Sequence, residues 1–574
     1  MNMNMGKVVY WHKDQVIIRL KSQPASTFNT IERHFNGLNT ILSNVGSPPL
    51  KPPFDTIFLR DPHDPDKSDA LHFAQIDSRG MGNDDNTVAV ISHLNAIKQT
   101  LVDADLPPFD VIPHWLWSGT PDGTHGCPVN PPFPVEESGA PGRYKITLPQ
   151  LPDSLQSATG KGVTVFVLDT LPLPETIDLA VKAPGNNNSL LKGIATGMKY
   201  EEPYNAVPPA INLNYSFEVP DPAQSAMTGK DIYGRLVGFP MADHGLTIAA
   251  IVRDLAPAAN IECIRVLNNF GVGDVRSLAY ALTYIYNRTL DGDLVNKPMV
   301  INLSLVVLPP GNDIPGDFPQ QVKEQITSDT LELLHRPMQL LADQRAIFIA
   351  SAGNDTDPRD TMMNPAEVRF NSRYPAYFAY DERYRINTMI PAGAVNQARK
   401  AASYSNYPGP RGIATYGGEL PRPVPWMPSA MSHAITHVDT TEPIDALCGI
   451  YTASEYPALS VNDHYDSPSP MAMESATSGM SKDYPTYHAP NSHAWAYNSG
   501  TSFATPIISA LAARILEQEP ESGDLHQAIV SASRGQQTVW TGVADSKMVA
   551  DVKDESGPMI LAMQDWNPED TSSQ

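Results

Sequence analysis

The sequence predicts an α/β fold, an open and mainly parallel sheet with helices on both faces, preceded by a small α+β N-terminal domain. Three observations carry the prediction. Short runs such as Val163–Leu168, apolar at every position except Thr164, recur at 261–267, 299–307, 346–353 and 388–395, and strands covered on both faces have this texture. Helix-compatible segments lie between them at 244–255, 275–290 and 328–345, and that alternation is the mark of a parallel sheet. The first hundred or so residues follow a different rhythm, with strand and helix candidates of their own.

Taken in order, VIIRL (16–20) and TIFL (56–59) read as strands, while 29–42 and 87–101 read as helices. DVIPHWLW (110–117) closes this unit, so the N-terminal domain is expected over 1–117. Residues 118–154 are crowded with Pro and Gly and read as a linker. A second, larger domain is expected over 155–552. Stretches 178–240 and 417–494, rich in Pro, Asn, Ser, Met and Tyr, interrupt it and read as surface insertions. The acidic tail, 553–574, is expected to be poorly ordered.

Composition narrows the function. The chain has 574 residues, 41% hydrophobic and 18% charged, enough apolar side chain for a large core. Its formal charge of −23 disfavours nucleic acid or anionic membrane as the main partner. Cys127, Cys263 and Cys448 lie too far apart for a zinc or disulfide framework and read as structural thiols. The N-terminal segment has no apolar stretch of the kind a signal peptide or membrane helix needs, which points to the cytoplasm or to an unrecognised export route.

Ligands of open α/β sheets gather beyond the carboxyl ends of the strands. Four polar residues fall where strands end or helices begin: Asp169 after VTVFVL, His244 at the head of HGLTIAAIV, Asn354 after AIFIASAG, and Ser502 in GTSFATP. A serine hydroxyl becomes a nucleophile only when a base takes its proton, and the oxyanion that follows needs preset donors. A helix N-terminus supplies free N–H groups and the positive dipole end, with Thr501 as a plausible N-cap. Each residue also has a plainer reading: Asp169 as an Asx turn, His244 as a satisfied structural histidine, Asn354 as a turn residue, Ser502 as the exposed start of a capped helix. Together they supply an acid, a base, an amide donor and a nucleophile.

VTVFVLDT, DHGLTIAAIV and GTSFATP closely resemble the three active-site signatures of the subtilases, and AIFIASAGND resembles the segment with their oxyanion asparagine. The order Asp, His, Ser is that of subtilisin. IRVLNNFGVGD, INLSL, YPAYF, IPAGAV and ASYSNYP resemble further segments, so the likeness spans about 155–416 and 495–517.

The resemblance implies a serine endopeptidase acting through an acyl-enzyme, with Asp169, His244 and Ser502 as triad, Asn354 at the oxyanion, and a protein or peptide substrate. The substrate would lie as an added strand between Gly271–Val272–Gly273 and Ser304–Leu305–Val306, with Ala352 and Gly353 walling the first pocket; Leu305 reads equally as ordinary core. The N-terminal domain resembles a propeptide, an intramolecular inhibitor removed by a cut between Trp117 and Gln150; a permanent accessory domain is the alternative. No cofactor is required for the chemistry, and structural calcium is implied without an assignable ligand set. Departures from the pattern are Leu171, Val306, Val307 and Thr415–Tyr416–Gly417, which bear on substrate preference. Other readings are a catalytically silent binding protein of the same fold, an esterase, which the absence of a Gly-x-Ser-x-Gly elbow disfavours, and a sedolisin, which His244 disfavours.

Overall fold

A computed structural model describes residues 10–24, 28–64, 67–79, 85–101, 108–118, 132–135, 142–186, 188–192, 211–220, 241–307, 320–356, 368–419, 445–456, 490–519, 524–545 and 548–568. The chain divides into two compact units. The first holds Met1–Trp117, Gly273–Asn296 and Leu308–Gln344, and the second holds Ser118–Val272, Lys297–Val307 and Arg345–Gln574.

The second unit is built on a nine-stranded sheet. From one edge its strands are Gln537–Asp545, Met548–Ile560, Ile413–Tyr416, Met389–Val395, Ile347–Ser351, Met299–Leu303, Thr164–Asp169, Asn260–Arg265 and Ile211–Asn214. All neighbours pair in parallel except the first two, which form an antiparallel ribbon. Every residue of Thr164–Asp169, Met299–Leu303 and Ile347–Ser351 is buried, which is why these strands read as unbroken apolar runs.

Helix Thr501–Gln518 packs on helix His244–Leu255 and on the central strands. Its Ile507, Ile508, Ala510, Leu511, Ala512 and Ala513 are shut off from solvent; each large side chain among them contributes about 1.5–3 kcal/mol by leaving water. The alanines let this helix approach its neighbours closely, and the strand ends set the heads of both helices at one edge of the sheet.

In the first unit the long strand Tyr10–Pro24 pairs antiparallel with Lys67–Gln75 and Phe109–Ser118. Asp55–Arg60 pairs antiparallel with Lys67–Gln75. Helices Phe28–Asn44, Thr87–Leu101, Val275–Asp291 and Gln320–Asp343 belong to this unit. Polar ties inside it include Arg19–Asp69 at 2.7 Å, Lys98–Asp110 at 2.7 Å and Trp115 Nε1 donating to Thr330 Oγ1 at 3.0 Å.

Several sequence expectations are corrected. Two segments assigned to the larger domain over 155–552, 273–296 and 308–344, cluster with the first unit. The linker 118–154 contains strands Phe133–Pro134 and Gly142–Thr147. The tail is ordered where described: Met548–Ile560 joins the large sheet, and Met563–Pro568 pairs antiparallel with Gly142–Thr147, setting Trp566 edge-on to Tyr144 at 5.1 Å. Its charge hid a few apolar anchors that suffice for pairing. Ile211–Asn214 is an edge strand rather than insertion, and Leu447–Ile450 is a buried strand paired with Trp495–Asn498. Four-residue apolar runs inside long polar stretches are too short to signal a strand. Cys263 and Cys448 are buried free thiols; Cys127 and most of both expected insertions lie outside the described residues. Among the described residues, no helix is long and apolar enough to cross a membrane.

Candidate active site

Asp169 ends its strand at the sheet edge, and its Oδ1 accepts from the backbone N–H of Thr170 at 2.7 Å. The same oxygen lies 2.8 Å from Nδ1 of His244, the first residue of helix His244–Leu255. Both side chains are buried. This close approach depends on Gly245, because a Cβ there would sit 2.1 Å from the Thr170 carbonyl oxygen and 2.8 Å from Asp169 Cβ. The glycine after the histidine is therefore a packing requirement of the Asp–His contact.

With Nδ1 held by the carboxylate, His244 turns Nε2 to the other side. That nitrogen is buried and makes no hydrogen bond, and the same holds for Ser502 Oγ. The ring of His244 stands edge-on to Phe503, the residue after Ser502, with centroids 5.3 Å apart. The structure thus brings the imidazole to the Ser502 turn, while the hydroxyl–imidazole hydrogen bond is not made here; such bonds commonly tighten only when substrate is bound.

Ser502 is the second residue of an eighteen-residue helix, so the positive dipole end and unsatisfied N–H groups lie beside its hydroxyl. Gly500, not Thr501, is the N-cap. Thr501 instead acts as a latch: its N–H and Oγ1 donate to Asn354 Oδ1 at 3.0 and 2.9 Å. The amide oxygen of Asn354 is thereby committed to Thr501, which fixes Nδ2 as the donor end of that side chain.

Pro506 lies four residues after Ser502 and has no N–H, so the Ser502 carbonyl loses its normal helical donor. Ser304 Oγ replaces it, donating to that carbonyl at 3.0 Å, and also reaches Asn302 Oδ1 at 2.9 Å. The proline in GTSFATP was a readable signal of an orphaned carbonyl that some side chain had to meet.

The other sequence candidates fall as follows. Gly271 takes a left-handed φ of +73° with its Cα against Met241, where a Cβ would lie 2.6 Å from the sulfur. Val272 is buried, and Gly273 belongs to the first unit, so only Gly271 and Val272 of that strand share a unit with the four polar residues. Ser304, Leu305 and Val306 are buried beside the Ser502 helix, the Leu305 carbonyl accepting from Ser351 Oγ at 3.3 Å. Ala352 and Gly353 adjoin Asn354; Gly353 N–H donates to Thr501 Oγ1 at 3.3 Å, while Asn406 Nδ2 and the Arg373 N–H take the Ala352 carbonyl.

Sequence reasoning missed Asp243. Burial pushes its carboxyl up to about 6 even though Thr452 hydrogen-bonds to it, with Thr452 Oγ1 donating at 2.5 Å. Residue 452 belongs to the stretch read as an insertion, and so does Gly449, where a Cβ would collide with Thr247 of the His244 helix at 2.3 Å. No local pattern marks such long-range partners.

A family model described as the subtilase family matches residues 160–539. No curated protein matches the chain. Solved structures that resemble it include a lanthipeptide protease (16% identity, 66% of this chain and 82% of that one, TM-score 0.34). Another is a serine-to-alanine mutant of the epidermin leader peptide processing serine protease of Staphylococcus aureus (13% identity, 90% of this chain and 92% of that one, TM-score 0.35). A third is a protease of Pseudoalteromonas arctica (17% identity, 67% of this chain and 87% of that one, TM-score 0.34).

Proposed function

The chain belongs to the subtilase family, and from that premise we propose that it is a serine endopeptidase that hydrolyses peptide bonds through an acyl-enzyme. The observation that carries the reading is the 2.8 Å contact between His244 Nδ1 and Asp169 Oδ1, with the opposite ring nitrogen and the Ser502 hydroxyl both buried and unpaired. A carboxylate on Nδ1 holds the tautomer whose bare Nε2 accepts a proton.

In the proposed mechanism Ser502 Oγ attacks the substrate carbonyl carbon while His244 Nε2 takes its proton. The new negative oxygen is met by Asn354 Nδ2 and the backbone N–H of Ser502. Collapse of the tetrahedral species breaks the C–N bond, and His244 returns the proton to the leaving amine. Water, deprotonated by His244, then releases the acid and restores the hydroxyl. Asp169 stays ionised throughout and stabilises the imidazolium. The chain's own side chains and backbone supply each step, so no cofactor enters.

Substrate would bind as an added strand against Gly271–Val272 and Ser304–Leu305–Val306, with Ala352 and Gly353 at the first pocket. The first 117 residues are proposed to act as an intramolecular inhibitor, freed by a cut between Trp117 and Gln150. A fluorophosphonate probe tests the core of the proposal. It should label wild type at Ser502 and leave Ser502→Ala unlabelled; absence of labelling in folded wild type, with or without an intact N-terminal segment, would mean a silent relative that keeps the fold for binding.

A further inference from the structure

Apart from the residues of the proposed hydrolysis, the first unit contains three polar side chains that converge. His12 lies on strand Tyr10–Pro24, His114 on strand Phe109–Ser118, and Asp274 caps helix Val275–Asp291. All three are buried. His12 Nε2 and His114 Nε2 lie 3.1 and 3.4 Å from one oxygen, Asp274 Oδ2, and the three atoms are all within 4.8 Å of one another.

The surrounding hydrogen bonds say which lone pairs point inward. Asp274 Oδ1 is taken by the Ser277 N–H at 2.8 Å, which leaves Oδ2 for the histidines. Gln15 Oε1 lies 2.8 Å from His114 Nδ1 and so accepts that proton. His114 Nε2 then bears a lone pair, has no hydrogen-bond partner, and faces a carboxylate oxygen. Two such acceptors 3.4 Å apart in a buried place repel unless a proton or a metal cation lies between them. Ligands at about 2.0–2.1 Å from a tetrahedral ion stand about 3.3 Å apart, the spacing found here. A second-sphere acceptor on the outer nitrogen of a ligating histidine is also what metal sites use to fix the ring.

We infer that His12 Nε2, His114 Nε2 and Asp274 Oδ2 form a binding site for a zinc-type divalent transition metal, with a further position left for water. Two imidazoles and one carboxylate suit zinc or cobalt, whereas calcium wants six to eight oxygens. The ion ties two strands of the sheet to the head of a helix, so its binding energy adds to the stability of this unit.

The full chain carrying Ser502→Ala, which keeps it intact, is stripped with chelator and titrated with Co²⁺ and then Zn²⁺. The expected result is one tightly bound equivalent of cobalt with visible d–d absorption, displaced by zinc, and a rise in Tm. His114→Ala and His12→Ala should each abolish that absorption and the Tm rise. Gln15→Leu should weaken binding about 10–100-fold while folding normally, and His114→Cys should retain a cobalt complex with an added thiolate charge-transfer band. Should the histidine variants fail to fold, the Gln15 and Cys variants carry the test. Undiminished cobalt binding in Gln15→Leu and His12→Ala, or no bound equivalent in the parent, would overturn the site and leave a proton-shared His–Asp–His cluster.

Discussion

Each of the two units buries histidine against an aspartate, and the two arrangements differ in which ring nitrogen the carboxylate takes. In the second unit Asp169 holds Nδ1 of His244 and leaves Nε2 bare. In the first, Asp274 Oδ2 faces Nε2 of both His12 and His114, while the outer Nδ1 of His114 is occupied by Gln15. The same residue types are therefore proposed as a base in one place and as a ligand set in the other. Burial and a nearby carboxylate do not by themselves make a catalytic histidine; the open nitrogen must also face a hydroxyl.

The sharpest way to break the comparison is to exchange the carboxylate that sets the tautomer. Asp169→Asn keeps the size of the side chain but lets an amide bind the ring in the wrong tautomer. Turnover on a peptide substrate should fall by about 10⁴-fold, with fold and Tm nearly kept. A loss under tenfold, measured as kcat at saturating substrate, would mean that the Nδ1 contact is ordinary packing and that His244 and His12 differ less than their surroundings suggest.

A smaller effect is expected at Asn354, the proposed oxyanion donor. Asn354→Ala should lower kcat on the order of 10²–10³-fold, the cost of removing one such donor, including the equivalent asparagine of subtilisin. Thr501→Val removes the Oγ1 bond to Asn354 Oδ1 and the acceptor of the Gly353 N–H but keeps the Thr501 N–H bond to Asn354, so kcat should fall about tenfold with KM little changed. Equal losses in the two variants would show that Thr501 acts on more than the amide's orientation.

Much of this was legible in the chain because strong local rules and chemistry coincide there. Strand Thr164–Asp169 and helix His244–Leu255 follow from unbroken apolar runs and a glycine that only close packing explains, and helix Thr87–Leu101 has the bounds its periodicity gave. What the sequence hid is long-range. Strand Lys67–Gln75 carries Lys, Ser, Asp, His and Gln, so its alternation is blurred although its pairing is secure. Leu447–Ile450 is only four residues long, and Asp243 depends on Thr452, 209 positions away. The latch of Thr501 on Asn354 and the reliance of Ser502 on Ser304 likewise join distant segments, and only Pro506 gave a local hint. The His12–His114–Asp274 cluster spans 262 positions, with no spacing rule to connect it.

The smallest expected effect separates mere burial from burial beside a carboxylate. His34 lies on helix Phe28–Asn44 with neither ring nitrogen hydrogen-bonded and the Phe109 ring 5.8 Å away. Burial pushes it down to about 4, and burial with the nearby His34 does the same to His72. Both are neutral in the folded state at pH values where the unfolded chain, near 6.5, already takes up protons. Stability of this unit should therefore fall as pH drops from about 6.5 toward 4, by at most about 3 kcal/mol for each ring. Asp329, raised by burial to about 6 in the same unit, opposes the trend, so the informative quantity is the difference between variant and parent. His34→Phe on the Ser502→Ala chain removes one proton-uptake term and two unsatisfied ring nitrogens. Urea unfolding should show it more stable than the parent by about 1–3 kcal/mol at pH 5 and by less at pH 7. A gain that is equal at both pH values would assign the effect to packing alone, and a loss at pH 5 would show that the His34 ring has a charged partner and resembles His114 more than a plain core residue.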